Sequence, residues 1–507
     1  MTMEKNLLTG ILLLLLSFTG IAQKRFFITD FGARGDGKTL NTLAIQKTID
    51  RAASKGGGVV VIPAGNFLSG TLILKSGTTL WLDEKAVLLG STDPQHYRSL
   101  GPLYGLIMAD GQQNISITGK GTLDGQGLAL ALAIDSLHHA GIRIDSSYNY
   151  RRMRPGTRPK IIDFRACKQV TIQQVTIRNS ASWVQNYDQC EYLSIDSIKV
   201  NSVAYWNNDG IDISDCKHVS ITHCFVNAAD DGICLKSEQP DKLNEDVYIA
   251  HCTVRSSANA VKFGTSSRGG FRNIRIEHIT VYDTYRSAIA LEAVDGGILE
   301  DVQVSDIDAA NTGNAIFLRL GHRNKDSRVS ILRNVTIRNV KAQIPFGRPD
   351  EAYDLRGPDL PFFHNPFPAS ITGLPGNPVE NILLEDIVIS YPGRATKGMA
   401  YIPVSRLAQV PEREDEYPEF SMFGELPAWA FYTRHADGIR MKNITVQLDA
   451  SDYRPAFVFD DAAHVQLQAL NIYPAPAIPA LILQHCTDYS TDAAIQNIIS
   501  LVDPVKK

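Results

Sequence analysis

The chain has 507 residues, 44% apolar and 21% charged, a globular composition with material for a sizeable core. A formal net charge of −4 gives no bulk attraction to nucleic acid or to an acidic membrane surface, so a polyanionic partner would need a local basic groove. The seven cysteines, at 167, 190, 216, 224, 234, 252 and 486, are odd in number and lack CxxC spacing, and they read as buried apolar thiols.

Residues 1–22 place Lys5 before an apolar run from Leu7 to Leu16 and end on Gly20-Ile21-Ala22, a small-x-small cleavage pattern. This reads as a secretory signal peptide, too short to span a membrane stably, with the mature chain starting near Gln23 and working outside the cytoplasm, secreted or periplasmic. The next segment holds one helical period, Asn41 to Ala53, with apolar residues at Leu43, Ile45, Ile49, Ala52 and Ala53. It is the candidate cap for the exposed end of a repeat fold.

From residue 115 almost to the end, short alternating β-branched pieces recur: ISIT at 115, VTIQ at 170, LSID at 193, VSIT at 219, VYIA at 247, IRIE at 274, VQVS at 302. From 170 to 302 their starts are 23, 26, 28, 27 and 28 residues apart, and pieces at 335, 382, 439 and 465 continue the pattern. Each is a strand by its period-2 alternation. A repeat in the twenties without a helical period predicts an all-β solenoid, a right-handed parallel β-helix with coils about 4.8 Å apart, over 23–507 as one domain. A propeller would need repeats nearer 40 residues. Stacking predicts that His223, His251 and His278 lie above one another, as do Cys224 and Cys252. The histidines fall where the strand breaks, so a structural ladder is expected there in place of a metal site. Two segments interrupt the repeat, near 130–158 with Tyr148, Tyr150, Arg151, Arg152 and Arg154, and near 343–425. Both are expected as loops on the binding face.

The stretch WNNDGIDISDCKHVSITHCFVNAADDGICLKS, residues 206–237, sets Asp209 about one coil before Asp230 and Asp231. One coil of separation brings three carboxylates together, where mutual repulsion raises the proton affinity of one while another stays ionised, as glycoside hydrolysis requires. From about Asp30 to Ile499 the chain resembles glycoside hydrolase family 28, the polygalacturonases and their exo-acting relatives, in DFGARGDGKTLNTLAIQKTID, VVVIPAGNFLSG, GKGTLDGQG, RPKIIDFRACKQVTI, the NxD of Asn207–Asp209 and the DD pair. The resemblance implies hydrolysis of α-linked galacturonan or rhamnogalacturonan with inversion, Asp230 as general acid, Asp209 and Asp231 holding and activating the water, and no metal or organic cofactor. The substrate it implies is a pectic polysaccharide or oligosaccharide.

Two positions depart from the family. Ala258-Asn259-Ala260 stands where Gly-His-Gly is expected, and Ala290-Leu291-Glu292 where Arg-Ile-Lys holds a uronate. Lys236, Lys262, Arg319 and His322 are the candidates to replace those cations, with Asn207, Asn259 and Glu292 as further substrate contacts. An ionised Glu292 would repel a uronate and favour a neutral sugar, unless arginines of the 151–154 loop paired with it. A lyase with a cationic base and Ca²⁺, or a non-catalytic carbohydrate-binding β-helix, are the rival readings. The two insertions point to exo action.

Overall fold

The computed structural model describes residues 24–148, 154–351, 353, 364–399, 401–475 and 479–502. The expected signal peptide and Tyr150, Arg151 and Arg152 lie outside them. No described helix is long and apolar enough to cross a membrane.

The strands wind as a right-handed parallel β-helix. Val170, Leu193, Val219, Val247, Ile274 and Val302 pair in one unbroken column, which continues through Val335, Ile382 and Ile439. The spacings of 23 to 28 residues read from the sequence are therefore the coil lengths. Two residues along, Ile117, Ile172, Ile195, Ile221, Ile249, Ile276, Val304 and Ile337 form a parallel column pointing into the solenoid. All are almost completely buried. Each such side chain contributes about 1.5–3 kcal/mol on burial, and the parallel register ensures that an apolar residue always meets another.

Between strands of one coil the chain turns through the left-handed region, and the residues there are mostly Asn, Asp and His, whose short polar side chains tolerate it. They also bond from coil to coil. Asn334 donates to Asp301 at 3.1 Å and Asn381 to Asn334 at 2.8 Å. The three histidines belong to this group: His223, His251 and His278 all have φ near +55° and stack face to face at 5.2 and 4.7 Å.

Helix α1 (Thr42–Ser54) covers the first coils with Ile45, Ile49 and Ala52 buried. Leu43, expected on the apolar face, is 76% exposed. A second helix, α2 (Gly127–His139), was not anticipated. Its LALALA run reads as alternation, yet Leu and Ala favour helix, and burial of Leu130, Ala131 and Ile134 decides the matter. Within the 343–425 segment Ala369–Thr372 and Val379–Tyr391 are strands of a further coil, the second holding the repeat piece at 382.

If the histidine stack is a backbone requirement, His251→Asn should leave the unfolding midpoint within about 0.5 kcal/mol of wild type, whereas His251→Val should cost about 1–3 kcal/mol. Denaturant titration of the two variants checks this.

Candidate active site

The third strand of each coil forms a sheet from Lys160–Arg165 through Gln185–Asp188, Ile211–Ser214, Ile233–Ser237 and Val261–Ser267 to the ends of Gly270–Ala293 and Ile298–Leu320. The turns that enter it stack as tightly as its strands. Gly210 donates to the Asp231 carbonyl at 2.9 Å, Gly232 to that of Asn259 at 2.8 Å, and Ala260 to that of Ser287 at 3.0 Å. This explains the glycine after each acid: a Cβ on Gly210 would lie 2.5 Å from the Gly232 carbonyl oxygen, and one on Gly232 2.6 Å from that of Ala260.

Asp209, Asp230 and Asp231 consequently converge, with carboxylate oxygens within 4.8 Å of one another. Among the described residues this is the only group of three such ligands close enough to hold a cation, but two ammonium groups already sit against it. Lys236 Nζ lies 3.1 Å from Asp209 and also bonds Asp212; Lys262 Nζ lies 3.2 Å from Asp231 and 3.9 Å from Glu292. Asn259 donates its side-chain amide and its backbone N–H to Asp231 Oδ1, at 3.0 and 3.1 Å. Asn207 Nδ2 donates to Asp230 Oδ2 at 3.3 Å.

These neighbours separate the acids. Burial works to raise Asp231, but Lys262, Lys236, Arg286 and the Asn259 bond outweigh it and hold the carboxyl below its ordinary range. Burial and the adjacent Asp212 push Asp209 well above its ordinary value against the pull of Lys236, and burial lifts Asp212 to about 6. Among the described residues Asp209 Oδ1 has no hydrogen-bond partner. The site therefore offers a secured carboxylate, Asp231, beside an unpartnered oxygen of Asp209, which together can hold a water, with Asp230 the more open of the three.

Other expected residues are placed differently. Asn259 braces the turn: besides its bonds to Asp231, its Oδ1 accepts from Ser287 N–H at 3.1 Å, and the residue is buried. Glu292 is wholly buried behind Lys262, and burial pushes its carboxyl up to about 8, against the pull of Lys262. The ionised Glu292 of the sequence reading is corrected to a neutral acid near pH 7. Arg154 does not reach it and pairs with Asp145 at 3.1 Å. Arg319, in register with Glu292, is buried and donates to the carbonyls of Gly373, Glu412 and Arg413. His322 N–H donates to Glu414 O. Arg319 and His322 thus hold the 411–423 loop, and neither joins the triad.

That loop supplies what the sequence reading missed. Tyr417 OH accepts from Lys262 Nζ at 2.9 Å, and Glu419 pairs with the buried Arg286 at 3.2 Å. The charges of Asp231 and Asp230 act on Arg286 as well. On the other side of the triad, Trp183 presents its ring 4.5 Å from Lys236 Nζ. Lys262 pairs in register with the small Ala290, so its ammonium stands one coil away from where the family's arginine is expected.

Glu292 ties stability to pH. A carboxyl that titrates near 4.5 when unfolded and near 8 when folded keeps its proton on folding, so stability is lost by about 1.4 kcal/mol per pH unit as pH rises between those values. Glu292→Gln should remove this slope: its melting temperature should gain on wild type steadily from pH 5 to pH 8, and a constant difference would refute the assignment.

Comparison with known proteins agrees with this geometry. The family description "Glycosyl hydrolases family 28" matches residues 56–343, more than half of the chain. A "Probable polygalacturonase" of Vitis vinifera is 26% identical over 404 residues, 73% of this chain and 75% of its own length. An "Exo-poly-alpha-D-galacturonosidase" of Dickeya chrysanthemi is 27% identical over 318 residues, 53% of this chain and 52% of its own. A solved exopolygalacturonase from Thermotoga maritima shares the fold, with a TM-score of 0.58 at 24% identity, covering 72% of this chain and 87% of that one. The lyase and non-catalytic readings give way to these matches: the chain is a glycoside hydrolase and belongs to glycosyl hydrolase family 28.

Proposed function

We propose that this family 28 hydrolase cleaves α-linked galacturonic acid from the end of pectic chains, outside the cytoplasm, by a single displacement with water. The observation that carries the reading is three carboxylates within 4.8 Å bracketed by Lys236 and Lys262, with Arg286 close by. The acids supply proton transfer and the cations suit a substrate that brings its own carboxylates. Asp230 gives its proton to the glycosidic oxygen, while Asp231, the carboxylate held ionised, takes one from the water that Asp209 Oδ1 helps to position.

The expected preference for a neutral sugar rested on repulsion from Glu292. With that residue buried and neutral at working pH, no repulsion remains, and Lys262 stands in front of it. A uronate is therefore the better fit. Exo action is supported by the 411–423 loop, which lies across the Lys262 and Arg286 side of the cleft, and by the relationship to the Dickeya chrysanthemi exo-enzyme. A secretory leader over residues 1–22 accords with a polymeric substrate that does not enter cells.

The acid spacing bears on stereochemistry. Inverting pairs usually stand about 6.5–9.5 Å apart and retaining pairs about 5–5.5 Å, a rule for two carboxyls, whereas here three acids bring their nearest oxygens within 4.8 Å. The family resemblance and the third carboxylate favour inversion, because two acids can share one water without leaving room for a second site. We adopt inversion.

General acid/base assistance is worth about 10²–10⁴-fold, so Asp230→Asn should lose at least about 100-fold in kcat on oligogalacturonides with unchanged circular dichroism. Near-normal turnover would sink the assignment. In digests by the wild-type enzyme, early NMR spectra should show the β-anomer at the new reducing end. Polymer viscosity should fall slowly relative to reducing ends released, and carboxyl-reduced oligomers should be cleaved more slowly than native ones. An initial α-product, a rapid viscosity loss or a preference for the reduced oligomers would each overturn the corresponding part of the reading.

A further inference from the structure

Arg158 opens the RPKIIDF stretch, immediately after the interruption near 130–158, and is 1% exposed. A guanidinium so deeply buried needs acceptors, and its acceptors are informative. Its Nη1 donates to the carbonyls of Ala181 and Trp206, and its Nη2 to the side-chain oxygen of Asn207 at 2.8 Å. Tyr205 closes over it, the guanidinium carbon lying 5.0 Å from the ring centroid. One side chain thereby ties the turn before the Gln185–Asp188 strand to the turn that carries Asp209.

The contact with Asn207 has a chemical consequence. A guanidinium can only donate, so the Asn207 amide must turn its oxygen toward Arg158 and its NH₂ toward the cleft, where it meets Asp230 Oδ2 at 3.3 Å. Asn207 itself sits at φ +57°, a left-handed conformation that fixes where its side chain starts. The other carboxylate oxygen, Asp230 Oδ1, accepts from the Asp231 backbone N–H at 3.1 Å, and nearby stand the carboxylates of Asp209 and Asp231, the Arg286 guanidinium, whose charge it feels, and the Ser256 hydroxyl, which donates to its backbone carbonyl.

We infer that Arg158 is a positioning residue for proton donation: through the enforced orientation of Asn207 it holds Asp230 Oδ2 in place, leaving the carboxyl to present its proton to the glycosidic oxygen. The inference rests on Asp230 being the general acid. As the C–O bond breaks, the Asp230 proton passes to the departing oxygen, and the resulting carboxylate keeps the Asn207 hydrogen bond, which strengthens once its acceptor is charged. A rotated Asn207 would instead aim a carbonyl oxygen at that carboxylate.

The test separates positioning from folding by the leaving group. A sugar alkoxide must be protonated as it leaves, whereas a dinitrophenolate need not be. Wild type, Asp230→Asn, Arg158→Met, Arg158→Lys and Asn207→Gly are each assayed on a trigalacturonide and on a dinitrophenyl oligogalacturonide. Asn207→Gly keeps the left-handed turn without strain, so it reports on the amide even if Arg158→Met folds poorly. Misplacement by about 1 Å can cost about 100-fold. We expect Arg158→Met and Asn207→Gly to lose about that much in kcat on the trigalacturonide and less than about threefold on the aryl substrate, with KM little changed. Arg158→Lys should not rescue, since an ammonium lacks the planar fork that reaches three acceptors. The alkaline limb of the kcat/KM profile should move upward in both, because a donor to the ionised acid is gone. Equal losses on both substrates would make Arg158 merely structural and overturn the inference. Equal losses for Asp230→Asn itself would instead overturn the acid assignment on which it stands.

Discussion

Parallel hydrogen bonding between coils about 4.8 Å apart is the constraint from which the rest follows. It leaves no room for a side chain after Asp209 or Asp231, where the next coil's carbonyl approaches, so glycine follows each acid. It also stacks like on like. For the interior columns this is favourable, since apolar residues meet apolar residues along the whole solenoid. For charges it is hazardous. Two carboxylates about 4 Å apart at an effective dielectric near 20 repel by roughly 4 kcal/mol, and the fold places three in adjacent turns.

The sheet beneath the triad meets that hazard with its own ladder. Asp163, Asn186, Asp212, Cys234, Lys262 and Ala290 occupy equivalent positions on successive strands, and Lys236 reaches from the neighbouring column to Asp209 and Asp212. Both ammonium groups are buried, and the acids around them make the lysines hold their protons more firmly than burial alone would permit. The same cations that make the cluster tolerable also divide its labour. Asp231, which faces Lys262 and accepts twice from Asn259, ionises readily, while Asp209 shares Lys236 with Asp212 and does not. Stability and catalysis make one demand on these lysines, which is why neither can be assigned to only one of them.

What was legible in the sequence is what the register repeats. The coil lengths, the buried columns, the stacked histidines and the convergence of Asp209 with Asp230 and Asp231 all follow from equal offsets within a repeat. The illegible part comes from chain that lies outside it. Tyr417 meets Lys262 across 155 residues of sequence, and nothing in a Pro- and Glu-rich loop shows which of its side chains points inward. Glu292 lies at the end of a repeat strand, but its state depends on Lys262 standing in front of it, a relation between columns that a linear repeat does not display. Arg158 and Arg286 carried no periodic signal at all.

This division has a chemical logic. Groups that must keep their geometry through the reaction stand on strands and tight turns locked to both neighbouring coils. Those that touch the same groups from outside arrive on loops: Tyr417 and Glu419 from the downstream side, Arg158 from the edge of the upstream interruption. A loop residue acts on the chemistry only through a contact with the ladder, whether by accepting from Lys262, neutralising Arg286 or orienting Asn207. Replacing a loop can therefore change which sugar is held and how well the acid is aimed while leaving the carboxylates where the register puts them. The strand positions themselves can vary too, as at Ala290-Leu291-Glu292, where the resemblance leads one to expect Arg-Ile-Lys. There Lys262, in register with the small Ala290, supplies a cation one coil away from the expected place. A parallel ladder makes such a shift possible, because adjacent coils present almost the same outward geometry to a ligand lying across them.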